Sequence, residues 1–359
     1  MNPLPPTAPL PSPASTAPAG AVVTDAAGTA APFLVAICNH KGGVAKTTTC
    51  LNLALGLAAA GQSVAVADFD SLGTATRALG AEGARLGSYE VLTGRCRLDA
   101  ALHPTPQAGV SMVAATANLH LAEVEHEVIG LDARRLRARL GASGRIDTLL
   151  IDCPPSLGVI AVNLVSAADL VLVPVPPTAY ARDGLAKTLD IITACRNGGG
   201  GPAPRILITM ADPDDPAAAA AIARIRQDHR EQVYPVAIPF DRRNETLAAD
   251  GRILLAAAPD SPSAAAYLHA TLGLMRDLRR LPRPALAAAP PPAALTPPAP
   301  PPPAPAENLV PAENVAPAEN VAPSRPVPPP AAPLPKPPAR RGRTTAMSLA
   351  AGLAGLAAL

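Results

Sequence analysis

The chain has 359 residues, with 30 lysines and arginines against 28 aspartates and glutamates, 46 prolines and no tryptophan. Eight prolines fall in residues 1–32 and 23 in 282–339, so only residues 33–281, with 15, can build a core, and that length suits one large domain. This centre carries 24 basic and 24 acidic side chains, which excludes a globally basic nucleic-acid binder and leaves any such affinity to a local patch.

Residues 1–32 are rich in Pro, Ala, Ser and Thr with Asp25 as their only charge, and are expected to form a flexible arm. They lack the basic region of a secretory signal, and no apolar run reaches the roughly 18 residues that span a bilayer. The five cysteines show no C-x-x-C spacing, which argues against zinc or iron–sulfur chemistry and for reduced, buried thiols. A cytoplasmic location is expected.

The first ordered element is the apolar run Leu34–Cys38, which reads as a buried strand. It leads without a break into His40-Lys-Gly-Gly-Val-Ala-Lys-Thr-Thr, and then into an apolar helical stretch to about Ala60. Strand, tight glycine loop and helix N-terminus together cradle an anion. Gly42 and Gly43 let the backbone aim several N–H groups at one point, and the helix adds its positive end. A polyphosphate suits that cradle, enclosed by residues Lys41 through Thr48, with Val44 and Ala45 in its turn. Lys46 would bridge the outer phosphates as a point charge, and the Thr47 hydroxyl would complete the coordination of Mg²⁺.

Ser63–Asp68 is a second buried strand, with Asp68 and Asp70 at its end. In a parallel sheet both carboxylates emerge beside the phosphate loop, where Asp68 could hold the metal's water shell and Asp70 orient an attacking water. Short helices are expected over 87–94 and 98–103, a strand over Val110–Ala114, and a helix over Leu131–Leu140 whose four arginines form a solvated face. Thr148–Asp152 is another buried strand ending in one carboxylate, poised to accept from Mg²⁺-bound water, and Pro154 and Pro155 stop it. Strands at Leu170–Pro176, Arg205–Met210 and Val233–Ile238 follow, separated by a helix to about Cys195, a linker at 198–204 and a helix over 216–229. Alternating β and α units with strands apolar on both faces predict an α/β fold with a doubly wound, mostly parallel sheet.

The spacing x-K-G-G-x-x-K-[ST], with Lys41 as the additional lysine, resembles the deviant Walker A loop of the ParA/MinD family of P-loop partition and positioning ATPases. The segment Asp68-Phe-Asp70-Ser-Leu-Gly73 is similar to that family's D-x-D-P-Q-G, with Ser71 and Leu72 in place of Pro and Gln. Ala45 stands where the family usually has glycine, and Pro176 and Pro177 where it has Gln and Cys. The resemblance covers about residues 33–280. It implies ATP and Mg²⁺ as ligands and Lys41 reaching across an ATP-bound homodimer. Asp70 would serve as the hydrolytic carboxylate, and Asp152 as the Walker B acid.

Soj-like members bind DNA non-specifically, and Arg243 falls on a family DNA-contacting arginine, with Arg242 beside it. Arg276, Arg279 and Arg280, at helical spacing, could add phosphate contacts, whereas Asp214 stands where the family has another arginine. The implied function is a nucleoid-associated switch that positions a chromosome, plasmid or protein assembly through a ParB-like adaptor. A MinD-like membrane switch and an ATP-dependent metabolic ligase of the same superfamily are the alternatives. Residues 282–344 form a proline-rich extension with the repeats Pro305-Ala-Glu-Asn, Pro311-Ala-Glu-Asn and Pro317-Ala-Glu-Asn, expected to be an extended spacer or docking strand. Residues 345–359 can form a short helix with Met347, Leu349, Leu353, Leu356 and Leu359 on one face, too weakly apolar to favour a membrane.

Overall fold

The computed structural model describes residues 30–125, 131–178, 181–196 and 201–286. The strands are β1 (Phe33–Ile37), β2 (Val64–Asp68), β3 (His103–Pro104), β4 (Val110–Val113), β5 (Thr148–Asp152), β6 (Leu170–Val175), β7 (Ala203–Ala211) and β8 (Val233–Pro239). They form one sheet in the order β3-β4-β2-β5-β1-β6-β7-β8, parallel throughout except for β3 against β4. The helices are α1 (Lys46–Ala59), α2 (Thr74–Ala78), α3 (Ser88–Thr93), α4 (Ala122–Glu125), α5 (Ala133–Leu140), α6 (Val159–Ala167), α7 (Ala181–Arg196), α8 (Pro216–Asp228), α9 (Arg243–Ala249), α10 (Leu254–Ala257) and α11 (Pro262–Arg280).

Apart from Thr148 at the start of β5 and the acids that end β2 and β5, the central strands are apolar because helices cover both faces of the sheet, and alternate residues feed two separate cores. Phe33, Val35 and Ile37 point into a core closed by α1 and α11. Leu34, Ala36 and Cys38 point into the opposite one, closed by α3, α5, α6 and α7. Helices α1 and α11 approach closely because Gly56 has no Cβ, and one placed there would lie 2.3 Å from Thr271 Oγ1. Strands β1, β2 and β5 end in register, with Ile37 beside Asp152 and Asp68 beside Asp152. That alignment brings the loop after β1 and the acids of β2 and β5 to one point on the carboxyl edge of the sheet.

Several expectations need correction. Strand β7 begins at Ala203, inside the segment expected to be linker. The two-residue antiparallel edge β3 was not expected. The arginines of α5 are not uniformly a solvated face. Arg137 ion-pairs with Asp169 at 2.7 Å and donates to Ala167 O, and Arg139 donates to Leu92 O. At the amino edge the flanks of the domain meet. Ala30 bridges Ala285, Ala31 N donates to Pro284 O at 2.9 Å, and Arg283 pairs with Asp147 at 3.1 Å. The residues of the N-terminal arm before Ala30, the repeats and the segment 345–359 lie outside the described residues.

Candidate functional site

The loop after β1 is held from both sides. Asn39 Nδ2 donates to Pro174 O at 2.8 Å, at the end of β6, while its Oδ1 accepts from Lys41 N at 3.1 Å. Thr209 Oγ1 donates to Val44 O at 3.2 Å, which ties the loop to the end of β7. Gly43 and Ala45 both take left-handed backbone angles, φ +69° and +67°. Ala45 thus occupies a conformation that glycine adopts without strain, which gives a physical reason for the family's glycine at that position. His40 lies against Gly184 of α7, where an added Cβ would come within 2.7 Å of His40 Cε1.

The two lysines differ in their settings. Lys46 is buried, and its Nζ donates to Lys41 O at 3.0 Å across the mouth of the loop. Lys41 is exposed on the rim. One cation faces inward over the cradle and the other faces whatever approaches the carboxyl edge.

Asp152 is buried, and neither carboxylate oxygen has a hydrogen-bond partner. Burial pushes its carboxyl well above the usual range and Asp68 adds to the shift, while the Thr47 hydroxyl opposes it. An unpartnered carboxylate deep in the fold, beside a threonine hydroxyl and a polyphosphate loop, fits a divalent cation. Asp152 and Thr47 are therefore the residues that would hold Mg²⁺.

The Asp68 carboxylate is taken up by protein donors. It accepts from Thr76 N at 2.9 Å, Thr76 Oγ1 at 2.8 Å and Asp70 N at 3.1 Å, so it anchors the segment from Asp70 to α2. Burial raises its carboxyl to about 6 against the lowering effect of these bonds. Asp70 is half-buried, and its Oδ1 accepts from Leu72 N at 3.0 Å, which holds the turn that presents it. Thr76 was not anticipated, because nothing in the sequence distinguishes it from a routine helix threonine.

Beside the loop opens a cavity of about 320 Å³ lined by Gly43, Ala45, Met210, Pro239, Phe240 and Asn244, among others. Its apolar walls and size suit a flat heterocycle. Met210 at its edge is the second non-glycine residue with left-handed backbone among the described residues, at φ +55°.

The five arginines proposed for DNA do not form one patch. Arg243 begins α9 at the carboxyl edge and is paired with Asp241 at 2.7 Å, with Arg242 exposed beside it. Helix α11 starts at the same edge, where Ser263 Oγ donates to Pro239 O at 3.1 Å. It then runs down the sheet, so Arg276, Arg279 and Arg280 lie roughly 20 Å away at the amino edge. Asp212 to Asp215 are exposed in the turn after β7.

Comparison with known proteins agrees with this geometry. The model of an AAA domain family matches residues 33–198. The chain is 33% identical over 262 residues to the chromosome partitioning protein ParA of Myxococcus xanthus, covering 71% of this chain and 92% of that one. It is 37% identical over 238 residues to the chromosome-partitioning ATPase Soj of Thermus thermophilus, covering 65% and 91%. Among solved structures, cobyrinic acid a,c-diamide synthase of Mycobacterium smegmatis with a bound ATP analogue and magnesium superposes with a TM-score of 0.59 at 28% identity, covering 71% of this chain and all of that one. No helix among the described residues is long and apolar enough to cross a membrane. Extent and identity together show that this chain belongs to the ParA/Soj family of partition ATPases.

Proposed function

We propose that the protein is an ATP- and Mg²⁺-dependent dimerising switch that binds DNA without sequence preference and positions a cargo through an adaptor protein. The observation that carries this reading is the division of labour between Lys46, buried over the cradle, and Lys41, exposed on its rim. A lysine left outside its own nucleotide pocket is placed to contact the phosphates of a facing copy. Support comes from the apolar side chains around it. Leu72, Val124, Val159, Met210 and Phe240 are all exposed; Met210 is the penultimate residue of β7, and the other four come after the carboxyl ends of β2, β4, β5 and β8. Exposed large apolar side chains on the edge that carries the phosphate loop are what a protein interface presents.

Within one subunit, Gly42, Gly43, Val44, Ala45 and the first turn of α1, including Thr48, bind the phosphates through backbone N–H groups, and Lys46 holds the outer ones. A cation held there would supply positive charge against the negative charge on the transferred phosphoryl oxygens. Thr47 and Asp152 hold it, Asp68 keeps Asp70 in place, and Asp70 orients the attacking water. The cavity at Met210 and Phe240 takes the base. For DNA the support is Arg242 and Arg243 at the carboxyl edge, which two facing subunits would present together. A metabolic ligase has no use for an exposed second lysine, and Lys41 therefore favours the switch.

Sedimentation equilibrium with and without Mg-ATP tests the nucleotide step. Wild type should double in mass, Lys41→Ala should stay monomeric while still binding nucleotide, and Lys46→Ala should lose nucleotide binding. Asp70→Ala should remain dimeric because it cannot turn over. Normal dimerisation of Lys41→Ala would end the reading. DNA retention should require ATP and fall in Arg243→Glu, and retention indifferent to both would remove the DNA function.

A further inference from the structure

At the amino edge, far from the nucleotide loop, a cavity of about 720 Å³ opens between α8, β8 and α11. Arg226, Arg230 and Arg276 line it, with Glu231 as the only acid, and Tyr234 and Pro235 form its apolar wall. All three arginines are exposed, and none is ion-paired with a carboxylate among the described residues. Arg226 is oriented by its bond to Pro235 O at 2.7 Å. The hydroxyl of Tyr234 is buried without a hydrogen-bond partner. A concave site with a surplus of guanidinium donors selects a planar anionic group that can enter it. A DNA duplex carries its phosphates on a convex outer surface and would meet a concave site at its rim.

We propose that this cavity binds the glutamate side chains of the chain's own Pro-Ala-Glu-Asn repeats. Glu307, Glu313 and Glu319 are the only acidic residues after residue 286, and each sits in the same tetrapeptide. The described chain ends at the same edge as the cavity, since Ala285 bridges Ala30 ahead of β1. Three strand spacings, about 14 Å, separate β1 from β8 along that edge. The 20 residues from 287 to 306 reach much further than that, at about 3.1 Å per residue when extended. Successive glutamates lie six residues apart, about 19 Å in an extended proline-rich strand, so one repeat at a time fills the cavity and the three exchange. Each contact is weak, and the tether makes it effective by holding the repeats at roughly millimolar local concentration. The proposal is independent of the nucleotide switch.

The test uses full-length chains and a labelled synthetic peptide of residues 311–322, read by fluorescence anisotropy. Wild type, whose cavity is occupied by its own repeats, should bind the peptide about tenfold more weakly than the Glu307→Gln, Glu313→Gln, Glu319→Gln triple variant. Adding Arg230→Ala and Arg276→Ala to the triple variant should abolish binding, and a peptide with Gln for Glu should not bind. Both arginines are exposed and donate no hydrogen bond among the described residues, so the melting temperature should be unchanged. Equal affinity in wild type and triple variant overturns the proposal, as does binding that survives loss of the arginines. Displacement of the peptide by short duplex DNA from the arginine site would assign the cavity to phosphate and overturn it also.

Discussion

Replacing Ala45 by glycine should make the nucleotide-free protein more stable, an unusual result for a change to glycine. Ala45 precedes α1 with φ +67° and ψ +34°, and its side chain makes no capping bond. A residue with a Cβ in that region costs roughly 1–2 kcal/mol. The greater freedom of glycine in the unfolded chain returns about 0.4–1 kcal/mol of that, and glycine is also the better residue at a helix N-cap. The net gain is about 0.5–1 kcal/mol, which for a domain of this size raises the melting temperature by about 1–4 °C. Gly43→Ala is the mirror experiment. Gly43 has φ +69° and nothing within 4 Å of an added Cβ, so the change carries only the backbone cost and should lower the melting temperature by a similar amount. Thermal unfolding followed by circular dichroism, without nucleotide, measures both. A lower melting point for Ala45→Gly, or a higher one for Gly43→Ala, would refute the assignment of strain to this loop.

Three further outcomes are expected. Asp152→Asn replaces a buried, unpartnered carboxyl by an uncharged group of the same shape, so it should leave metal-free stability unchanged or raise it. It should also erase the additional stabilisation that Mg²⁺ gives the ATP-loaded protein, and a magnesium response like wild type's would count against Asp152 as a cation-holding residue. Asp277→Asn breaks the two-pronged pair with Arg205, at 2.7 and 3.3 Å with side chains 24% and 5% exposed, and should cost about 2 kcal/mol, a fall of about 4–8 °C. Gly184→Ala drives a methyl into His40 and should cost about 1–2 kcal/mol despite the better helix propensity of alanine. Adding His40→Ala should recover that loss, and additive losses in the double-mutant cycle would mean the two residues do not meet.

The sheet was legible in the sequence because a strand covered on both faces is apolar along its middle, with polar residues only at its ends. Leu34–Cys38 and Thr148–Asp152 read as strands for that reason, and the observed β1 and β5 differ from those bounds by no more than a residue at either end. The phosphate loop was legible because its glycines, lysines and threonines are consecutive. What stayed hidden depends on groups that are distant in the chain. The Arg137–Asp169 pair spans 32 residues, and the bond that anchors Asp68 comes from Thr76 on a helix too short to announce itself. The sorting of the arginines onto opposite edges of the sheet is also invisible in sequence, since helical spacing says which residues share a face and nothing about which end of the sheet that face reaches. The edge strand His103–Pro104 consists of two residues and contains a proline, which leaves no pattern to read.

The crossing of Ala30 and Ala285 places the entry and exit of the folded chain side by side, on the pole opposite the triphosphate loop. If two subunits meet loop to loop, both pairs of chain ends are carried to the outer poles of the assembly. The proline-rich segment therefore leaves the folded domain on the side that stays open when that seam closes.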